Sequence, residues 1–405
     1  MSEYQYYEFQ AVDRPLTGEE MAELRACSTR ARITPTSFVN DYSWGNFKGD
    51  QDAWMEKYFD AFLYVANWGT HVLKLRLPTR LLDAKVARRY CVGEHASVRE
   101  RNGKVILTFR SEEEEEGGVW VEGEGQLSSL VSVRGELARG DLRALHLGWL
   151  LCAQNGGLGD DDLEPPVPAG LGELSASLGS LVEFLRIDTD LIRVAAGASP
   201  PLADIAPGPA DVRRWLDRTS VAEKDDWLAR LIVENDGVIV NELRQRLSRQ
   251  RAAGRQPSGT TRRRIVAELL RCAERASDER RRIAADKAAR DDERRAREAA
   301  AARAELLERL VGKEHAIWRQ AESLIATRQP RCYDQAVGLL VDLRDLAGLQ
   351  GDYDFSRRIE ALRAEHARKP TLIQRLNKAG LGRLTPMPPP DAGRARGRVR
   401  TVTAR

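Results

Sequence analysis

Eight aromatic side chains, Tyr4, Tyr6, Tyr7, Phe9, Tyr42, Trp44, Phe47 and Trp54, make the densest group of chemically capable residues in the chain. Aromatic strands stack nucleobases when basic residues between them hold the phosphates. Here the neighbours are Glu3, Glu8, Asp13, Asp41 and Asp50, which repel phosphate. A packed core or a protein-binding face is therefore favoured, with Tyr4, Tyr6, Tyr7, Trp44 and Phe47 as candidate partner-binding residues. Trp44-Gly45 and Trp68-Gly69 repeat one pair, which suits a turn at positive φ with the indole capping the core.

Arginines form the second group. Arg262, Arg263 and Arg264, together with Arg394, Arg396, Arg398 and Arg400 near the C-terminus, could contact nucleic acid electrostatically. Charge runs on helices are more often solvated faces, so nucleic acid is the less favoured partner class.

Metal and acid–base chemistry have weaker signals. His71, His95, His146, His315 and His366 stand alone, and no Cys-x-x-Cys pair exists, so neither a metal site nor a cofactor is expected. Asp160, Asp161, Asp162 and Glu164 lack the spacing that wraps oxygens around a cation, and read as a solvated linker. Gly156, Gly157 and Gly159 lead into acids and prolines without a lysine, unlike a phosphate cradle. Nucleophile elbows and kinase-like loops are absent, so no catalytic residue is assigned. An enzyme hidden in the N-terminal region would draw on Asp41, Asp50, His71 or His95.

The elements that must position these groups follow from pattern and punctuation. Tyr4–Val12 alternates like a strand, and Thr17 with Glu20 forms a capping box that opens a helix over 18–27. Residues 33–44 read as extended, 50–68 as a helix from the spacing of Trp54, Tyr58, Phe62 and Val65, and 71–77 as a half-buried strand. Asn102-Gly103 joins two strands in a hairpin, and 119–121 reads as another short strand. Residues 1–123 thus form an α+β domain with a small, mostly antiparallel sheet. A helical region follows over 124–254, broken by a Gly/Pro linker at 156–172, with Asp188 capping one of its helices.

Residues 261–329 hold no proline and a single glycine, Gly312, and are rich in Ala, Arg, Glu and Asp. They predict one long exposed helix, reaching roughly 100 Å at 1.5 Å per residue. Its middle has opposite charges four apart, as in Asp278/Arg282, Asp286/Arg290, Asp291/Arg295 and Glu293/Arg297, and Ile283 as its only large aliphatic residue. Residues 330–384 predict a helical hairpin resembling a single TPR-like unit, which needs a neighbour to cover its faces. Residues 385–405 read as a disordered basic tail.

The chain has 405 residues, with 64 basic and 61 acidic side chains, so its net charge of +3 selects no partner. No signal-peptide pattern opens it, and no apolar run approaches the 18 or so residues of a membrane span. Five scattered cysteines suit a reducing cytosol.

The segments YQYYEFQAVDRPLTGEEMAEL (4–24), SFVNDYSWGNFKGD (37–50) and YFDAFLYVANWGT (58–70) resemble a bacterial family known mainly as uncharacterised proteins. PPVPAGL (165–171), EFLRIDTDLIRVAAGAS (183–199) and the helical stretches over 336–376 are similar to segments of bacterial SWIM-type zinc-finger proteins. The SWIM motif itself, Cys-x-Cys followed by Cys-x-His, is missing, so the resemblance implies neither zinc nor its nucleic-acid role. The expectation is a cytoplasmic, non-enzymatic interaction or scaffold protein, possessing a protein partner and no membrane contact. Self-association through the long helix is a further option.

Overall fold

A computed structural model describes residues 3–45, 47–112, 123–202, 208–233, 238–253, 263–352 and 354–382. The strand expected at 119–121 and the tail after 384 lie outside these residues. The chain divides into two compact units, 1–282 and 283–405.

The first unit is built on a seven-stranded sheet in the order β2-β3-β1-β4-β5-β7-β6. Its strands are β1 (Gln5–Gln10), β2 (Arg32–Thr34), β3 (Ser37–Tyr42), β4 (Ala61–Ala66), β5 (Thr70–Pro78), β6 (Ala96–Arg101) and β7 (Lys104–Glu112). Every pairing is antiparallel. Asn102 and Gly103, at φ 51 and 70, turn β6 into β7 as their type demands. Helix α1 (Gly18–Cys27) starts in the Thr17/Glu20 capping box.

The helix expected over 50–68 is instead a short helix, α2 (Gln51–Lys57), followed by strand β4. β4 lies between β1 and β5 in the sheet interior, so both of its faces are buried. A strand buried on both faces reads as an unbroken apolar run, which periodicity alone does not separate from a buried helix.

Helices cover both faces of the sheet. Phe9, Phe38 and Phe62 meet Leu24 of α1 and Trp54 and Met55 of α2 in one core. On the other face Leu63, Leu73, Leu75, Leu107 and Phe109 join a larger core. There they pack with α4 (Gln126–Ala138), α5 (Arg143–Gln154), α6 (Ala176–Leu185) and α7 (Thr189–Ala196). A single turn, α3 (Ala84–Ala87), precedes β6. The boundary expected at 123/124 therefore separates no cores, because the helices after it bury the sheet before it. Gly148 of α5 shows how close the layers run: a Cβ there would sit 2.5 Å from Phe109 Cε1. Gly148→Ala is expected to cost about 1–3 kcal/mol by overpacking, read as a lower urea midpoint. An unchanged midpoint would mean that the Phe109 ring swings aside freely.

Helices α8 (Pro209–Asp217), α9 (Val221–Ile232) and α10 (Ile239–Ala253) follow. Gln245 of α10 is buried and donates to the carbonyls of Leu81 (2.7 Å) and Ala138 (2.8 Å).

The long helix, α11 (Val266–Leu310), is shorter than the 261–329 expected. It stops before Gly312, whose φ of +78 lies in the left-handed region, and α12 (Glu314–Ala326) begins afresh. Val266, Leu269 and Ala273 belong to the larger sheet core, whereas 278–290 are exposed throughout. In this stretch and beyond, four arginines pair three residues back, among them Arg281 with Asp278 at 2.9 Å and Arg294 with Asp291 at 3.1 Å. Of the expected pairs four apart, Glu293–Arg297 forms at 2.5 Å.

In the second unit α12 packs with α13 (Pro330–Gln350), α14 (Asp354–Glu365) and α15 (Pro370–Lys378). Trp318, Tyr333, Ala336, Leu340, Ile359 and Leu372 form its core. Pro330 and Pro370 each occupy a first-turn position, where the missing N–H has no intrahelical partner to lose.

Candidate interaction surface

Register brings the two Trp-Gly pairs to one end of the sheet. Gln5 of β1 lies opposite Tyr42 of β3 on one side and Ala66 of β4 on the other. Both chains turn just past those residues, so Trp44 and Trp68 emerge on either side of β1. Strands two apart are separated by about 10 Å. The turns are pinned to β1: Gln5 Nε2 donates to the Gly45 carbonyl (3.1 Å), and the Asn67 N–H donates to that of Tyr4 (3.0 Å). Gly45 and Gly69 hold φ of +82 and +90, which a side chain would resist.

The indoles face water and do not cap the core. Trp44 is 71% exposed and Trp68 46%, with Tyr4 half-buried between their turns. The Arg30 guanidinium carbon lies 5.4 Å from the Trp44 ring centroid, a cation–π contact that leaves most of the indole accessible.

The other aromatic candidates are taken up by packing. Tyr6 and Tyr7 are 3% and 4% exposed. Alternation sends them to opposite faces of the sheet, and both faces are covered. Tyr7 stacks on Phe47 with centroids 5.0 Å apart, and its hydroxyl donates to Gln5 Oε1 at 2.7 Å. Tyr6 lies under the backbone of Gly123, where a Cβ would come within 2.3 Å of the ring, and its hydroxyl donates to Glu8. Burial, and then the Glu8 carboxylate, push the Tyr6 phenol upward. Of the five candidates, then, Trp44 faces solvent, Tyr4 and Phe47 do so in part, and Trp68, read as a core cap, joins them.

The arginine candidates are placed differently. Arg263 Nε donates to the Glu164 carbonyl at 2.9 Å. Arg264 holds both carboxylate oxygens of Glu164 (2.8 and 2.9 Å) and donates to the carbonyls of Val194 and Ala195. Its guanidinium is occupied inside the fold and does not present a phosphate contact. Arg262, Arg394, Arg396, Arg398 and Arg400 lie outside the described residues.

Glu164 is the residue the sequence reading misplaced: it is 3% exposed, within 3.4 Å of the fully buried His146. The acidic linker closes over the start of α11. The carbonyls of Asp160 and Asp162 accept the N–H groups of Ala267 and Val266, both at 3.0 Å. Those are helix-start donors that have no intrahelical acceptor.

Asp41, Asp50, His71 and His95 do not come together in one cleft. Asp41 is exposed on β3, and Asp50 caps α2 by accepting from the N–H of Asp52 and Ala53. His71 donates from Nδ1 to the Phe184 carbonyl at 2.6 Å, whereas His95 donates to that of Arg110 at 3.0 Å. Among the described residues no cluster of three or more His, Cys, Asp or Glu could hold a metal ion, and no helix is long and apolar enough to cross a membrane. Two solvent-facing indoles on rigid turns can stack on a flat apolar group or a cation; they supply no proton transfer.

No family model, curated protein or solved structure matches the chain.

Proposed function

We propose that this is a cytoplasmic protein-interaction or scaffold protein, and that it meets its partner at the sheet end formed by Tyr4, Trp44 and Trp68. The reading rests on one observation. Neighbouring Tyr6, Tyr7 and Phe9 are packed inside, while two indoles on glycine turns at the same sheet end remain open. Tryptophan is among the residues that dominate binding energy when an interface closes over it. The charged, exposed middle of α11 supports the same class, because an isolated helix of this kind forms no cavity.

The test is a Trp44→Ala/Trp68→Ala double variant of the full chain. Its unfolding free energy in urea is expected to stay within about 0.5 kcal/mol of wild type, since surface positions carry little stability. Its retention of proteins that the wild type captures from the native host is expected to fall at least tenfold, for anchors worth about 2 kcal/mol. Equal capture by a folded double variant would remove the sheet end as the site.

A further inference from the structure

The seating of α11 passes through a buried histidine that the interaction surface does not use. His146 lies on α5 with no solvent exposure. Trp149 of the same helix stacks on it at 6.0 Å, and Tyr90, in the loop after α3, meets it edge-on at 6.1 Å. The Tyr90 hydroxyl is turned away, donating to the Pro166 carbonyl at 2.8 Å. Nε2 stands 3.4 Å from Glu164 Oε1, close enough for charge attraction but without a hydrogen bond. Nδ1 has no hydrogen-bond partner among the described residues.

The lid over this ring is the 160–164 loop together with the approach to α11. Leu163 bridges to Ile265, the Glu164 N–H donates to the Arg264 carbonyl at 2.9 Å, and Asp160 and Asp162 accept from the first turn of the helix. We propose that His146 is a proton-operated latch: neutral, it lets the loop and the start of α11 close over it, and protonated in mild acid it releases them.

Geometry gives the direction. Neither ring nitrogen has a hydrogen-bond partner among the described residues, so a second proton adds a buried N–H donor for which no acceptor waits. A buried donor without a partner is costly. Among the described residues Glu164 is the one facing group that favours an imidazolium, and Arg264 already holds both of its oxygens while opposing a second cation. Tyr90 and Trp149 contribute ring surface only. Burial, foremost, holds His146 below its ordinary value; Arg264 adds to this and Glu164 only partly opposes it. An opened loop wets the imidazole and returns it toward the ordinary value of about 6.5. Between the two values the open form binds more protons, so closure is complete above about pH 6.5 and weakens as pH falls.

The experiment is hydrogen exchange on the full chain, corrected for the intrinsic pH dependence of amide exchange. The amides of Val266 and Ala267 report the latch, and that of Leu75 in the sheet is the reference. Protection at the two helix amides is expected to fall by up to about tenfold per pH unit from 6.5 to 5.5, the limit for one linked proton. Leu75 should keep its protection over the same range. His146→Gln and His146→Phe should both flatten the profile, which separates this ring from buried His71. A flat wild-type profile overturns the proposal, as does an unchanged slope in a folded variant. The wild-type imidazole signal of His146, followed by NMR, decides the matter even if neither variant folds. Its titration should coincide with the loss of protection, and titration of a ring that stays closed would defeat the latch.

Discussion

Arg264→Ala will lower the unfolding free energy of the chain by about 3–5 kcal/mol, the cost of leaving one buried charge without its partner. Glu164 is the charge left behind. It is 3% exposed, and its two oxygens take hydrogen bonds from Arg264 Nε and Nη2 at 2.8 and 2.9 Å. The substitution also removes donors from the Val194 and Ala195 carbonyls at the end of α7. Urea denaturation at pH 7.5, where His146 is neutral, isolates this effect from the latch. The control replaces both partners, Glu164→Leu with Arg264→Met. A buried ion pair exchanged for apolar side chains of similar volume is often neutral or stabilising, so the double variant should recover most of the loss. A loss below about 1 kcal/mol in the single variant would mean that water reaches Glu164 and the pair is not sealed.

Whether a feature was legible in the sequence depended on how local its cause is. The Asn102-Gly103 turn, the Thr17/Glu20 capping box and the Asp188 cap of α7 are each complete within four residues, and the structure has all three. α11 was legible as a helix because most of its Arg and acid spacing is met by neighbours three or four residues away on the helix itself. Its end was not, because an interior glycine costs a helix only about 1 kcal/mol and Gly312 could have been carried through. Strand β4 was hidden by its central place in the sheet, which removed the polar alternation that marks a strand. Tyr6 and Tyr7 failed as partner residues for a related reason: sequence shows that they face opposite ways, but not that helices cover both sides. Glu164 was the hardest to place. It sits in a stretch of glycine, aspartate and proline that reads as solvated, and the arginine that makes its burial tolerable lies a hundred residues further on. The exposed Trp44 and Trp68 left a signal in the repeated Trp-Gly pair, though only strand register shows that the two pairs share one end.

Asp60 carries the other large expectation. Its carboxylate, 1% exposed, accepts the N–H groups of Val12 and Asp13 at 2.7 and 2.9 Å on one oxygen. The other oxygen accepts Arg76 Nε and Nη2 at 3.1 and 2.7 Å, with Arg134 at 3.7 Å. Arg134 reaches in from α4, donating to the Arg76 carbonyl and to Asp13. The group therefore ties β4 and β5 to the chain after β1 and to a helix on the opposite face. Asp60→Ala leaves the buried Arg76 guanidinium facing no anion, Arg134 with Asp13 alone, and two N–H groups without acceptors. It should cost at least about 3–5 kcal/mol, seen as a collapse of the urea midpoint or as failure to accumulate folded protein. Asp60→Asn keeps the shape and isolates the charge. Burial alone would raise the Asp60 carboxyl, but Arg76, Arg134 and the two N–H donors outweigh it and hold it below the usual aspartate range. A carboxyl depressed by folding contributes stability above its unfolded value of about 3.9, and that contribution drains away as pH falls through the lower folded value. Wild-type stability should therefore drop steeply below about pH 4, and Asp60→Asn, already weaker at pH 7, should fall less steeply across the same range. Parallel acid profiles for the two proteins would assign the acid sensitivity to other carboxylates and deny Asp60 its place as the keystone of the sheet.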